Sequence, residues 1–367
     1  MLERPIAEPF NGRMAMDTNE KELRLRAAVI PSLAEAEGSP DRFFMEYNCT
    51  MRLVSLLASA TEMIAELGAL DQLVGRSHEC DYPPAVLTLP IVSTVEINTD
   101  VSSAEIDTQI KQRAGARLLP EDTALRALSI YALDVELLER LRPDVIFTQT
   151  QCEVCAVSER DVTRAVEQLT GLRPQIVSLA PQRLADVWED VLRIGRAIAR
   201  QEQARQLVQG YQQRLEQLHT RCQTLAGSHR PRVAILEWLD PLMGAGNWTP
   251  ELVTYAGGEA LFGEIGQHTP WLSWEELQRA DPDVLILAPC GFQLERTYQD
   301  LPILQQHPAW PTLRAVTQGR VYALDGNAYL NRSGPRLVES AELVAWALWG
   351  EQAGVPITAE AIQHISR

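Results

Sequence analysis

The sequence predicts an α/β protein of two lobes, each a mostly parallel sheet flanked by helices, with a single long helix joining them. Two observations carry this. Leu141-Arg142-Pro143-Asp144-Val145-Ile146-Phe147 recurs as Ala280-Asp281-Pro282-Asp283-Val284-Leu285-Ile286, and a long stretch of helical spacing separates the two copies. Each copy follows a segment with paired Leu and Glu, and leads through an apolar strand into a Cys-bearing loop. Repeated β-α-β units imply two parallel sheets. A chain of 367 residues also exceeds one ordinary core of roughly 100–200 residues.

Residues 1–50 read as a weakly ordered N-terminal extension, because apolar periodicity is poor and Pro31 and Pro40 interrupt it. The N-terminal lobe is expected over 51–199. Arg52–Leu57 is an apolar run suited to a buried strand, and Ser59 and Thr61 offer helix-start chemistry for a helix ending near Gly68. Leu184–Ala199 has helical apolar spacing. The connecting segment is expected over 200–230. Its helix, about Glu202–Ala226, places Leu207, Val208, Tyr211, Leu215 and Leu218 on one spacing and ends at Gly227. The C-terminal lobe is expected over 231–350. It starts as the first lobe does, with a strand and then Thr249-Pro250 opening a helix, since Pro is well tolerated at the first helical position. It ends with a strand at Arg320–Leu324, a loop to Pro335 and a helix to Trp349; residues 351–367 read as a weakly specified tail.

Composition removes several classes. The formal net charge is −16 and the cations are nearly all arginine, with Lys21 and Lys111 the two lysines. An acidic chain without a basic run repels phosphate backbones, so nucleic acid is not an expected partner. No stretch reaches the ~18 apolar residues of a membrane helix, so the chain is not expected to be membrane-embedded. Residues 1–50 carry charge throughout and no apolar export core, which points to a cytoplasmic location. The six cysteines then read as thiols or metal ligands rather than a disulfide framework.

Ligands of open parallel sheets bind beyond the carboxyl ends of the strands, and the unusual residues fall there. Ser77-His78-Glu79-Cys80-Asp81-Tyr82-Pro83 follows the early strands, and Gln151-Cys152-Glu153-Val154-Cys155 follows the first repeat. In the second half, Glu237-Trp238-Leu239-Asp240-Pro241 precedes Gly246-Asn247-Trp248; Cys290-Gly291-Phe292 and the loop holding Tyr329 come later. Cys152-x-x-Cys155 has metal-knuckle or redox-pair spacing. With His78 and Cys80 it would supply one nitrogen and three sulfurs, a set that suits zinc. The alternative is that the thiols are small buried residues packing a loop, and that His78 is a hydrogen-bonded structural histidine. Trp238 and Trp248, in loops bounded by Asp-Pro and Gly, offer flat walls for a large planar ligand, whereas Trp274 reads as core. GxGxxG after the first strand, GxxxxGK[ST], GxSxG and HExxH are missing, and no nucleophile partners Glu237 and Asp240.

The stretches Leu53-Val54-Ser55-Leu56, Ala60-Thr61-Glu62, His78-Glu79-Cys80-Asp81-Tyr82-Pro83, Arg142-Pro143-Asp144, Gln151 to Ser158, Glu237-Trp238, Asp240-Pro241 and Gly334-Pro335-Arg336-Leu337 together resemble the cobalamin-binding branch of the class III periplasmic solute-binding proteins, over about residues 51–349. The resemblance implies a non-catalytic binder of cobalamin, another corrinoid or a metal chelate in the cleft between lobes, with an ABC importer as a candidate partner. On these grounds His78, Glu79, Asp81, Tyr82, Gln151, Glu153, Glu237, Trp238, Asp240, Trp248, Phe292 and Tyr329 are the expected ligand contacts. His78, Cys80, Cys152 and Cys155 are the candidate metal set, and a metal-dependent or redox enzyme, or a metal-ion binder, using them is the competing reading.

Overall fold

The computed structural model describes residues 50–94, 98–114, 132–149, 167 and 170–365. The expected extension over 1–50 falls almost wholly outside them, as do Gln151, Cys152, Glu153 and Cys155.

In the first lobe, β1 (Leu53–Ser55) leads into α1 (Ala58–Glu66), then β2 (Leu73–Arg76). A short ribbon of β3 (Ser93–Thr94) and β4 (Ala132–Leu133) flanks α2 (Ser103–Ala114). Next come α3 (Val135–Leu141), β5 (Val145–Gln149) and β6 (Gln175–Leu179). The sheet order is β2-β1-β5-β6, and all neighbours are parallel. Ser59 and Thr61 do not start α1, as their chemistry suggests; they lie buried within it, and the N-cap is Leu57, without a side-chain bond. Thr61 spends its hydroxyl on the Cys80 sulfur instead.

Helix α4 (Leu184–Ala197) turns directly into α5 (Gln201–Ala226), which is 26 residues long and spans about 39 Å. Gly227, at φ +54°, ends it.

The second lobe has β7 (Arg232–Leu239) and β8 (Leu242–Gly244) as a hairpin, then α6 (Thr249–Tyr255), β9 (Glu259–Ala260), α7 (Trp274–Ala280) and β10 (Val284–Leu287). It continues with α8 (Leu294–Gln305), α9 (Arg314–Thr317), β11 (Val321–Leu324), α10 (Leu337–Trp349) and β12 (Ile362–His364). The order is β12-β11-β10-β7-β8, with β9 beside β7. Strands β7, β10 and β11 are parallel; β8 and β12 run antiparallel at the two ends. The final residues are therefore not a loose tail. Ile362, 2% exposed, pairs with Leu324 and closes the sheet edge.

Alternation along the strands sorts the core into layers. Leu53, Val145 and Phe147 in one lobe, and Val233, Val284 and Ile286 in the other, share one continuous core with α1, α4, α5, α6 and α10. The intervening residues face separate outer cores: Val54, Ile146 and Ile176 in the first lobe, Ala234, Leu236, Leu285 and Leu287 in the second. The lobes thus meet through a shared apolar base. Tyr211 of α5 stacks on Trp188 of α4 and donates to Glu66 of α1, while Arg214 of α5 pairs with Glu339 and Glu342 of α10 at 2.9 Å each. A base tied on both sides leaves the carboxyl ends of the strands as the place where the lobes face each other.

Candidate functional site

The loop after β2 carries His78–Tyr82 towards the loop between β11 and α10. Asp81 accepts from Arg332 Nη1 at 2.6 Å and from Asn327 Nδ2 at 2.9 Å. Glu62, on α1 and 2% exposed, accepts from Arg332 Nη1 at 2.9 Å and from Arg336 Nε at 2.9 Å and Nη2 at 2.5 Å. One buried carboxylate of the first lobe thus serves two guanidiniums of the second. Arg332 is held above its ordinary pKa: burial alone would weaken its charge, but Asp81 and Glu62 outweigh it. Asp81 lies below the usual range, the Arg332 and Asn327 bonds overcoming its own partial burial. The Arg336 guanidinium also lies over Tyr82 at 4.4 Å and over Tyr329 at 5.4 Å, so it contacts the rings of two expected contact residues.

A second crossing closes the cleft nearby. Arg296 of α8 donates to the Val101 carbonyl at 2.6 Å and pairs with Asp300 at 2.6 Å, and Asp300 accepts from the Ser103 amide at 3.3 Å.

On the second lobe, Glu237 ends the parallel part of β7. Thr269 Oγ1 lies 3.0 Å from each of its carboxylate oxygens. Burial pushes the Glu237 carboxyl up, more than Thr269, His268 and the Gly246 amide bring it down. The backbone amide of Cys290 donates to the Glu237 carbonyl at 3.0 Å. Cys290 is exposed, yet its thiol is pushed up to about 12, first by the protein crowded around it, then by Glu237 and, from across the cleft, Glu79. That thiol stays protonated at physiological pH. Gly326 allows this crowding, since a Cβ there would sit 2.1 Å from the Pro289 carbonyl oxygen.

The aromatic expectations divide. Trp238 is half-buried and rests on Phe292, ring centroids 5.1 Å apart, with its indole N–H donating to the Asp240 carbonyl at 3.1 Å. Asp240 therefore contributes its backbone to the anchoring of Trp238. Phe292, 6% exposed, backs Trp238 on one side and receives the Arg296 guanidinium at 4.5 Å. Trp248 differs from expectation. It is 6% exposed, belongs to the shared core, and donates to the Leu330 carbonyl at 2.6 Å. The flanking Gly246 marks close backbone packing against Gln267–Thr269 rather than an exposed ring. Trp274, stacked on His307 at 3.9 Å, packs against the outer core as its helical position predicts.

The metal set is not assembled from what is described. Cys80 is fully buried, receives the Thr61 hydroxyl at 3.0 Å and points its thiol at the Ser55 carbonyl; burial raises its pKa. His78 is occupied differently, with Nδ1 2.9 Å from Ser93 Oγ and Nε2 3.1 Å from Glu79. Among the described residues no group of three His, Cys, Asp or Glu side chains could hold a metal ion, so zinc has no support there. Cys152 and Cys155 lie outside the described residues.

Sequence reasoning missed Glu62, Arg332, Arg336, Asn327 and Thr269 as site residues. A signal existed for the first three. Glu62 is the one acid among Ala60, Thr61, Met63 and Ile64, and Arg332 and Arg336 stand four apart in a chain segment otherwise small and polar.

A model of the periplasmic binding proteins matches residues 53–328, and the chain belongs to that family. Its members bind solutes and are not enzymes, so the metal-dependent or redox enzyme reading falls. The vitamin B12-binding protein of Pectobacterium atrosepticum is 22% identical over 308 residues, covering 81% of this chain and 88% of that protein. An uncharacterised ABC transporter substrate-binding lipoprotein of Bacillus subtilis is 22% identical over 305 residues, covering 81% and 80%. Among solved structures, a periplasmic haem-binding protein from Pseudomonas aeruginosa matches with a TM-score of 0.62 at 21% identity, covering 86% of this chain and 98% of that one, a likeness of fold. The cytoplasmic placement drawn from residues 1–50 is overturned by these matches, whose members are periplasmic proteins or lipoproteins. Charge near the start of a sequence describes that segment and does not report where the folded lobes work. Among the described residues, no helix is long and apolar enough to cross a membrane.

Proposed function

We propose that the chain binds cobalamin or a related corrinoid in the cleft between its lobes and presents it to an ABC importer. The observation that carries this reading is the similarity to a vitamin B12-binding protein along 81% of the chain. The cleft chemistry agrees with it. Trp238, backed by Phe292, provides a flat apolar wall; Tyr82, 45% exposed, provides a second ring on the facing lobe. Large planar rings suit such walls because aromatic side chains supply area at small entropic cost. His78, Glu79, Asp81, Tyr82, Glu237, Trp238 and Tyr329 are the proposed contacts among the described residues, with Gln151 and Glu153 completing the set. Asp240 and Phe292 hold Trp238 in place. The importer partner follows from the resemblance to a substrate-binding lipoprotein of an ABC transporter.

Isothermal titration with cyanocobalamin, cobinamide, haemin and a ferric chelate tests the reading. Binding of the corrinoids at submicromolar concentration is expected, weakened by about 1–3 kcal/mol in Trp238→Ala. Saturable binding of haemin or the ferric chelate with no corrinoid binding would overturn it.

A further inference from the structure

Two arginines of the cleft, Arg332 and Arg336, are already paired. Arg332 is bonded to both Glu62 and Asp81, and Arg336 is bonded to Glu62 through two nitrogens. Glu79 and Glu237 add two further carboxyl groups, close enough for both to act on the Cys290 thiol. Among the described residues, the carboxyl groups of Glu62, Asp81, Glu79, Glu237 and Asp325 lie around these two guanidiniums. Burial favours the neutral form of Glu237, and with that group protonated the remaining acids still outnumber the arginines.

A ligand carboxylate needs a guanidinium that can leave its present partner. Here, drawing Arg332 or Arg336 away would strand Glu62, a carboxylate 2% exposed within α1. An uncompensated buried charge is among the most costly arrangements a protein can hold. Amide groups meet no such obstacle. Their N–H groups donate to carboxylates that have lone pairs to spare, and their carbonyls accept from amide donors such as Asn327 without disturbing the ion pairs.

We infer that this cleft selects a tetrapyrrole-like ligand by the charge of its rim: it takes one edged with neutral amides or carrying net positive charge, and rejects one edged with carboxylates. Glu62 and Asp81 set the preference by occupying the arginines. The inference rests on the corrinoid reading and narrows it. It assigns Glu62 and Asp81 a specificity role, and it separates amide-edged corrinoids from haem with its two propionates.

The test compares ligands with one macrocycle and different rims. Cobinamide and cobyrinic acid share the corrin ring, the second having carboxylic acids in place of amides; haemin is the third probe. Wild-type protein is expected to bind cobinamide at least tenfold more tightly than cobyrinic acid or haemin at pH 7.5 and low salt. Asp81→Asn releases Arg332 from one partner and removes a negative charge, so the ratio should fall at least threefold, chiefly through tighter binding of the acids. Glu79→Gln lowers the negative charge without touching either arginine and should reduce the ratio by less. Melting curves for both variants verify the fold. Equal wild-type affinities for cobinamide and cobyrinic acid overturn the inference while leaving the corrinoid reading intact. So does an unchanged ratio in both folded variants. Absence of binding by either corrinoid overturns the reading itself, and the inference with it.

Discussion

In the first lobe Asp134 caps the seven-residue helix α3 by accepting from the Leu137 amide, and the helix ends at Arg142 with φ 45°. In the second lobe Ser273 caps the seven-residue α7 from the same relative position, and that helix ends at Asp281 with φ 43°. A proline follows each and disfavours continuing the right-handed helix at the residue before it, and in both copies that residue closes the helix in the left-handed conformation. The next aspartate then makes the same bond twice. Asp144 accepts from the Arg52 amide and Asp283 from the Arg232 amide, each at 2.8 Å, tying the start of each lobe's first strand to the strand beside it. The junction is shared; its surroundings are not. Asp144 is exposed, whereas Asp283 is 8% exposed and holds Arg314 at 2.9 Å as well. Around the cleft, the first lobe supplies Glu62 and Asp81, and the second supplies Arg332, Arg336, the Trp238 indole and Glu237. A duplicated scaffold can be kept where it closes the sheet and varied where its loops meet a ligand.

The largest effect should come from the point where that asymmetry joins the lobes. Glu62→Ala leaves Arg332 and Arg336 without their shared carboxylate, and losing one partner of a buried ion pair costs about 3–5 kcal/mol. Urea denaturation should show this loss; a change below 1 kcal/mol would mean that the arginines find other partners and that the apolar base and the remaining polar crossings hold the lobes.

The lobes also bury aspartates that titrate in opposite directions. Asp190 of α4 is 3% exposed and is pushed up to about 7 by burial, with Asp186 and Glu189 adding to the shift and Arg193 opposing it. A carboxyl raised from 3.8 stabilises the fold fully below its unfolded value and loses that contribution as pH rises through about 7. Asp283 is lowered: the Arg232 amide and Arg314 outweigh its desolvation, so its contribution is present above the unfolded value and is lost on acidification. Asp190→Asn should therefore gain stability relative to wild type from pH 5 to 8, by at most about 4 kcal/mol for a three-unit shift. Asp283→Asn should lose stability at neutral pH and flatten the acid limb. Parallel pH–stability curves for both variants and wild type would refute the contrast.

A smaller difference separates the two copies of the junction. Asp283→Ala removes a backbone bond and an ion pair in a buried setting and should cost about 2 kcal/mol; Asp144→Ala removes the equivalent bond at the surface and should cost about 1 kcal/mol. Equal losses would show that the strand-tying bond carries the whole effect and that Arg314 adds nothing.

How much of this could be read in the sequence depends on the range of the interactions. The Pro-Asp repeat, the long helix ending at Gly227 and the alternating strands are local patterns, and they predicted two parallel lobes directly. The site was less accessible because its partners are distant. Glu62 meets Arg332 and Arg336 some 270 positions later, and no local spacing announces that meeting. Trp248 misled for a related reason: Gly246 reads as a loop opener, but its missing side chain serves tight packing against residues 267–269. Ser59 and Thr61 resemble caps by type, and only the fold shows them spent inside a helix on Cys80 and the core. The end of the chain looked unspecified because β12 is three residues long and gains its meaning from pairing with β11.

The smallest expected effect bears on whether the two junctions are equivalent in energy as well as geometry. Asp134 accepts from the Leu137 amide at 2.8 Å, and Ser273 from the Glu276 amide at 3.2 Å, with Glu276 returning two bonds of 2.8 Å to the Ser273 amide and hydroxyl. An N-cap replaced by Ala costs about 1 kcal/mol. The two caps reach that value differently. Asp134 supplies one charged acceptor to the positive end of a helix dipole, whereas Ser273 supplies a neutral acceptor supported by a reciprocal glutamate. Asp134→Ala and Ser273→Ala should therefore lower stability by similar amounts at low salt. Raising salt should shrink the Asp134 penalty more, since its bond draws on an exposed charge, whereas Ser273→Ala removes only the two bonds of the neutral hydroxyl and leaves the residue 273 amide bonded to Glu276. Urea titrations of both variants at low and high salt measure this. A Ser273 penalty that falls with salt as steeply as that of Asp134 would show that Glu276 acts mainly through its charge near the helix end, and the capping-box geometry would then contribute little.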